Sequence, residues 1–144
     1  MANGIINDPY VNFNFLVELD GIARAAFHEC SGGNSSIDVI EHNEGGSLTS
    51  RKFPGMVKYG NIVLKRGMTD DLELYKWHQS VVQGQTVRKN GSIIFLDRAS
   101  NEVARLDFTQ AWPSKYDVPN LTAEGNDIAI ETFELVCESL KRVL

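Results

Sequence analysis

Cysteine is scarce in this chain: Cys30 and Cys137 stand far apart and form no CxxC pair. Buried free thiols are expected, not a disulfide framework, in a protein made in the cytoplasm. Long apolar runs are missing as well. Nothing approaches the roughly 18 residues of a membrane-spanning helix. The opening MANGIINDPY has neither the basic start nor the apolar stretch of a signal peptide. Positive charge is in deficit, with a net charge of −5 and a pI near 5.1. That argues against a protein that grips nucleic acid by its phosphates, while leaving room for a surface that nucleic acid slides past.

Catalytic patterns are also wanting. Gly55 and Gly60 have the spacing of a phosphate-binding loop, but Asn61 stands where a lysine must reach the β- and γ-phosphates. They read as ordinary turn glycines. His28, Cys30 and His42 have no CxxC or HExxH spacing, and His28-Glu29-Cys30 lacks the PCxxC half of a zinc deaminase signature. No GxSxG elbow occurs. Asp70 and Asp71 resemble paired carboxylates, yet they read better as the start of a helix. Asn34, Asn90 and Asn120 begin N-x-S/T triplets that have no meaning without a secretory route. Tyr75, Trp77 and Trp112 are able to stack on bases but belong more naturally to a core. No catalytic, cofactor-binding or metal-binding residue is assigned, and an enzyme ranks behind the other readings.

What the chain does have is strands. In YVNFNFLVEL, Val11, Phe13, Phe15, Val17 and Leu19 alternate with Asn12, Asn14 and Glu18, with Leu16 the exception. Period two predicts a half-buried strand. Asp20-Gly21 suits a two-residue hairpin turn, with IARAAFHE returning as the partner. Ser31 to Asn34 read as a Gly-rich turn, and SSIDVIEH as a third strand. MVKYGNIVLKRG is strand-like in its β-branched and aromatic content. One helix is predicted over about 70–83, with Asp70 and Glu73 as a capping box, Asp71 at the positive end of the dipole and Gly84 as the stop. Leu74, Trp77 and Val81 form its packing stripe. SIIFLD and VARLDFTQAW pair across RASNE, and a passage from Pro113 to Pro119 leads to a last strand, DIAIETFELVCESL. The expectation is a single domain over residues 1–144, mainly β: a small β-sandwich or partly closed β-barrel with one α-helix and a long extended loop.

KYGNIVLKRG (Lys58–Gly67), LYKWHQSVVQG (Leu74–Gly84) and AWPSKYDVPNLTAEGNDIAIETFELVCESL (Ala111–Leu140) resemble the tail-tube, or inner-tube, family of contractile phage tails and phage-like injection systems. The opening FNFLVELDGI, with FHECSGG and VIEHNEGG after it, matches the family's first hairpin, so the resemblance runs from Tyr10 to Leu140. Cys30-Ser31-Gly32-Gly33 departs from the plainer Val-Ser-Gly-Leu of many relatives. The resemblance implies a small barrel-like fold that assembles into hexameric rings. Stacked rings form a hollow inner tube inside a contractile sheath, which drives it into a target cell to deliver protein or DNA. Implied partners are further copies of the chain, sheath subunits, baseplate or hub proteins, tube-capping proteins and the passing cargo, with no specific nucleic-acid recognition. The family implies no cofactor and no catalytic residue. It implies assembly in the bacterial cytoplasm, then a place in a virion tail or a released extracellular particle. The alternatives are a ring protein of a type VI secretion-like system, which shares the architecture, and a small soluble β-barrel that binds a ligand.

The insert HNEGGSLTSRKFPG (His42–Gly55) is long and polar, with Leu48 and Phe53 its only large apolar residues. Loops beyond about 12–15 residues in compact domains are usually functional or disordered. It is expected to be an arm that reaches a neighbouring subunit across the joint between stacked rings. Glu41 and Glu44 lead into it, and Arg51 and Lys52 lead out, which suits a head-to-tail contact. Phe53 is its apolar anchor, Pro54 stiffens the exit, and Gly45 and Gly46 allow a sharp turn.

Overall fold

The computed structural model describes residues 14–20, 22–46, 48–119, 123, 125 and 128–144. Val11, Asn12, Phe13, Gly21 and Asn120, singled out above, lie outside the described residues. In chain order the elements are β1 (Asn14–Leu19), β2 (Ile22–Ala26), β3 (Glu29–Gly32), β4 (Ser35–His42), β5 (Arg51–Tyr59), β6 (Ile62–Gly67), α1 (Glu73–Val82), β7 (Lys89–Leu96), β8 (Glu102–Asp117), β9 (Ile130–Val136) and β10 (Ser139–Arg142). One antiparallel sheet runs β2-β1-β7-β8-β9-β6-β3, with β10 also on β8, while β4 and β5 form a separate two-stranded sheet.

The long strand β8 creates two layers out of one sheet. Glu102 to Ala111 pair with β7, and Trp112 to Asp117 pair with β9. Just before the change of partner, between Phe108 and Ala111, the register slips, and Gln110 takes a φ of 53°. Its N–H donates to Asn90 Oδ1 at 3.0 Å, which holds the bend. A strand that changes sheets at a bulge lets the two halves face each other over a shared core. The path does not close, because β2 and β3 are its two ends.

The core follows from strand periodicity. Ile62 and Leu64 of β6 stand opposite Leu135 and Phe133 of β9, and all four are buried with Val17, Leu19, Ile93 and Phe108. The same inward row continues to Arg66, which faces Glu131. Both are buried, and Arg66 Nε donates to Glu131 Oε1 at 2.6 Å. Tyr116 Oη donates to the other carboxylate oxygen at 3.0 Å. The guanidinium also donates to the Asp71 carbonyl at 3.2 Å and lies 5.6 and 5.7 Å from the Phe27 and Phe133 ring centres. A buried charge is tolerable only with such partners.

The helix begins later than the capping-box reading places it. Leu72 is the N-cap without a side-chain bond, and Asp71 Oδ1, not Asp70, accepts the Glu73 N–H at 3.0 Å. Asp71 wins because Arg66 lies beside its carboxylate, 3.6 Å away. At the other end Gly84 has φ 89°. Gln85 N–H donates to Ser80 O and Gly84 N–H to Val81 O, the paired bonds of a Schellman stop. Several strand boundaries also differ from the sequence reading. Ser31 and Gly32 belong to β3, which pairs with β6, so the Gly-rich turn shrinks to Gly33-Asn34. MVKYGNIVLKRG breaks at Gly60-Asn61, DIAIETFELVCESL breaks at Cys137-Glu138, and Pro113 to Asp117 are strand. Pro113 is accommodated there because it sits at a second slip in β8, where no ladder donor is needed.

Candidate functional site

The insert read as a loop over 42–55 is the end of a β-hairpin. β4 and β5 extend it at both sides, leaving only Asn43 to Ser50 as the connection. In SSIDVIEH, Ile37 and Val39 share one parity and Ile40 has the other, so apolar residues point both ways. Such a pattern suits a strand covered on two sides. Here it is covered on neither: every residue of β4 is exposed, with Val39 at 63% and Met56 of β5 at 70%.

Cross-strand register assigns the faces. Ile37 stands opposite Val57, Val39 opposite Pro54 and Glu41 opposite Lys52 on one side. Ile40 stands opposite Phe53 and His42 opposite Arg51 on the other. An extra residue of β5 near Gly55 gives a bulge between the Ile37 and Val39 pairs. The hairpin packs on itself far more than on the rest of the chain. At its base Gly60 N–H donates to Asn34 O at 2.8 Å, and Asn61 Nδ2 donates to Glu134 Oε1 at 2.9 Å. An isolated two-stranded hairpin is at best marginally stable in water. Contiguous exposed apolar surface on such an element marks a contact with another molecule.

The charges at the two ends of the insert meet each other. Arg51 Nη1 lies 3.5 Å from Glu44 Oε1, and the Arg51 guanidinium lies 5.5 Å from the Phe53 ring centre. Lys58 pairs with Asp38 at 3.2 Å. These are solvent-exposed pairs, each contributing about 0–1 kcal/mol. Arg51 and Glu44 are thus engaged with each other within the hairpin, while Glu41 and Lys52 form no ion pair among the described residues. At the tip Gly46 has φ 84°, which a side chain would resist, beside Gly45, while Leu48 is fully exposed.

Other residues singled out in the sequence are scattered. Gly55 lies within β5 and Gly60 at its end, so no helix follows to present amides to a phosphate. His42 is at the far end of β4, about 26 Å from Asn34 at the rise of a strand, whereas His28 and Cys30 sit beside the body. Among the described residues no group of three or more His, Cys, Asp or Glu converges on a metal-sized site. Leu74 and Trp77 are buried and Val81 is half-buried. Trp77 Nε1 donates to Val87 O at 2.6 Å. Tyr75 stacks edge-on against Tyr116 at 5.3 Å between ring centres. Cys30 and Cys137 are free thiols. Burial, with Glu29 adding, pushes the Cys30 thiol up to about 11. The sequence reading missed the Arg66–Glu131–Tyr116 cluster, although parity with Leu64 and Phe133 was there to find it.

The sequence pattern of the T4-like virus tail tube protein gp19 family matches residues 11–141. Among solved structures, a chain of the anti-feeding prophage baseplate, 6-fold symmetrised, superposes with a TM-score of 0.87 at 26% identity, covering 96% of this chain and 97% of that one. A chain from the sheath/tube terminator of an extracellular contractile injection system (PVC, extended state) gives 0.89 at 25% identity, covering 97% and 100%. Hcp1 from Flavobacterium johnsoniae shares the fold, with a TM-score of 0.59 at 22% identity over 90% of this chain and 94% of its own. No curated protein sequence matches the chain.

Proposed function

The chain belongs to the T4-like virus tail tube protein gp19 family, and we propose that six copies close into a ring whose stacks form the inner conduit of a contractile particle. It is a structural subunit of the tube of a contractile injection apparatus. The family is one of structural tube proteins, and we assign the chain no catalysis. The proposed surroundings are a contractile sheath, a baseplate or hub at one end and a terminating cap at the other. These are the settings in which the similar solved chains occur. Assembly in the bacterial cytoplasm, followed by residence in a tail or a released particle, completes the proposal. Among the described residues no helix is long and apolar enough to cross a membrane.

One observation carries the assembly reading: the β4–β5 hairpin exposes apolar residues on both faces and stands off the body. We assign the hairpin as the arm that reaches the neighbouring subunit across the joint between rings. Glu41, Glu44, Arg51 and Lys52 set its charge, Gly45 and Gly46 its turn, and Phe53 and Pro54 its anchor and stiffness. Knob-like arms that fit elsewhere on an identical subunit make heterologous contacts, which close into rings or extend into filaments. Negative-stain microscopy of the purified full-length protein tests the proposal. Six-membered rings or stacked tubes are expected; a protein that stays monomeric at high concentration sinks it.

A further inference from the structure

On the reading of the chain as a tube subunit, we infer that the hairpin leaves the body through a rigid joint that sets its angle before any partner arrives, with Asn61 and Glu134 as the positioning residues. The joint lies where both strands break together. Gly32 opposite Ile62 is the last rung of the β3–β6 ladder, and Ser35 opposite Tyr59 is the first rung of the hairpin. Gly33-Asn34 and Gly60-Asn61 between them belong to neither ladder. Gly32 and Gly33 have φ of 84° and 66°. Two successive glycines in the left-handed region ordinarily make a loose link, because glycine visits so much of backbone space.

Here three contacts take that freedom away. The backbone of Gly32 lies directly on the Asn61 carbonyl: a Cβ would overlap that oxygen and stand 3.4 Å from Ile62 Cα. The glycine thus closes the joint by admitting the opposite strand, where a side chain would force it open. Gly60 is covered by the Asn34 side-chain amide, and its N–H donates to Asn34 O at 2.8 Å. The third contact reaches out of the joint. Asn61 Nδ2 donates to Glu134 Oε1 at 2.9 Å, which ties the return link to β9, the strand beyond β6. Among the described residues of β4 and β5, Tyr59 at the base is the one that packs on the core. The angle of the arm is therefore held by a few groups at its root. Such preorganisation favours assembly: a subunit whose arm points correctly a tenth of the time binds its neighbour about tenfold more weakly.

Pulsed electron spin resonance tests this in full-length protein kept below its assembly concentration. Spin labels are carried on unnatural side chains at Leu48, fully exposed in the arm, and at Gln85, exposed beyond α1. One narrow distance is expected, unchanged in assembled protein. Asn61→Ala should broaden it and raise the concentration needed for assembly about tenfold, with the thermal midpoint nearly unchanged. Asn61→Asp sets two carboxylates against each other and should do the same. Adding Glu134→Gln to it reverses the direction of the hydrogen bond and should restore both the narrow distance and assembly, a rescue that a general loss of stability would not show. Broad distances in the unaltered protein that narrow only on assembly overturn the joint, because the partner is then what orders the arm. A narrow distance in Asn61→Ala, or a double variant no better than Asn61→Asp, overturns it as well. Unaltered protein that makes neither rings nor tubes removes the tube reading instead, and the distances still judge the joint.

Discussion

Arg66 and Glu131 are the charged residues that the described interior holds, and they share one inward row with Leu64 and Phe133. Removing one partner strands the other charge away from water. Glu131→Ala is expected to destabilise the fold by about 3–5 kcal/mol, lowering the thermal midpoint by roughly 10 °C or more. Replacing both with apolar residues of similar size should recover much of that loss, and calorimetry of the single and double variants checks the comparison. Cys30 makes a pH prediction. Its thiol ordinarily titrates near 9.0, and burial, with Glu29 adding, raises it to about 11 in the folded chain. The folded state thus holds this proton more tightly than the unfolded one. The resulting stability is complete below pH 9 and is lost as the pH rises through about 11. Burial also raises Cys137, and burial together with Glu131 raises Tyr116, with the same sign. The thermal midpoint should fall over this alkaline range, and less steeply in Cys30→Ser; identical slopes would show that the thiol is not the source.

At the scale of elements, α1 and the hairpin behave in opposite ways. The helix inserts Leu74 and Trp77 into the core and packs against β8, so its stripe was legible from spacing alone. Its start was not, because the choice between Asp70 and Asp71 depends on Arg66, which reaches that turn only after β6 is in place. The hairpin puts little into the core. Replacing Thr49–Pro54 with a short Gly-Ser link is therefore expected to leave the cooperative unfolding transition of the monomer nearly unchanged while abolishing ring stacking. Scattering or microscopy that finds full-length tubes from this variant would demote the element to a surface loop. The polar composition of the insert is the ground on which an arm is proposed. That the insert ends a paired ladder, with Arg51 tied to Glu44, was not readable from composition, because cross-strand register emerges only when both strands are aligned.

For the whole molecule, assembly is expected to depend on strand edges and apolar faces alone. Cys30 and Cys137 are free, and no metal-sized cluster occurs among the described residues. Reductant and chelator should leave the sedimentation profile of assembled protein unchanged, and dissolution by either reagent would point to a missed bridge. Alternation along the chain determined by itself that this is a mainly β protein with one helix, and its segment similarities identified the tube family. Those properties depend on neighbours in sequence, where period and local composition act. The tertiary structure alone decided that β8 bends to serve two layers, that Arg66 meets Glu131, and that Gly60 meets Asn34 where the hairpin leaves the body. Each of these requires residues far apart in the chain to share one face or one edge. That arrangement is set by the packing of whole strands, and no local pattern encodes it.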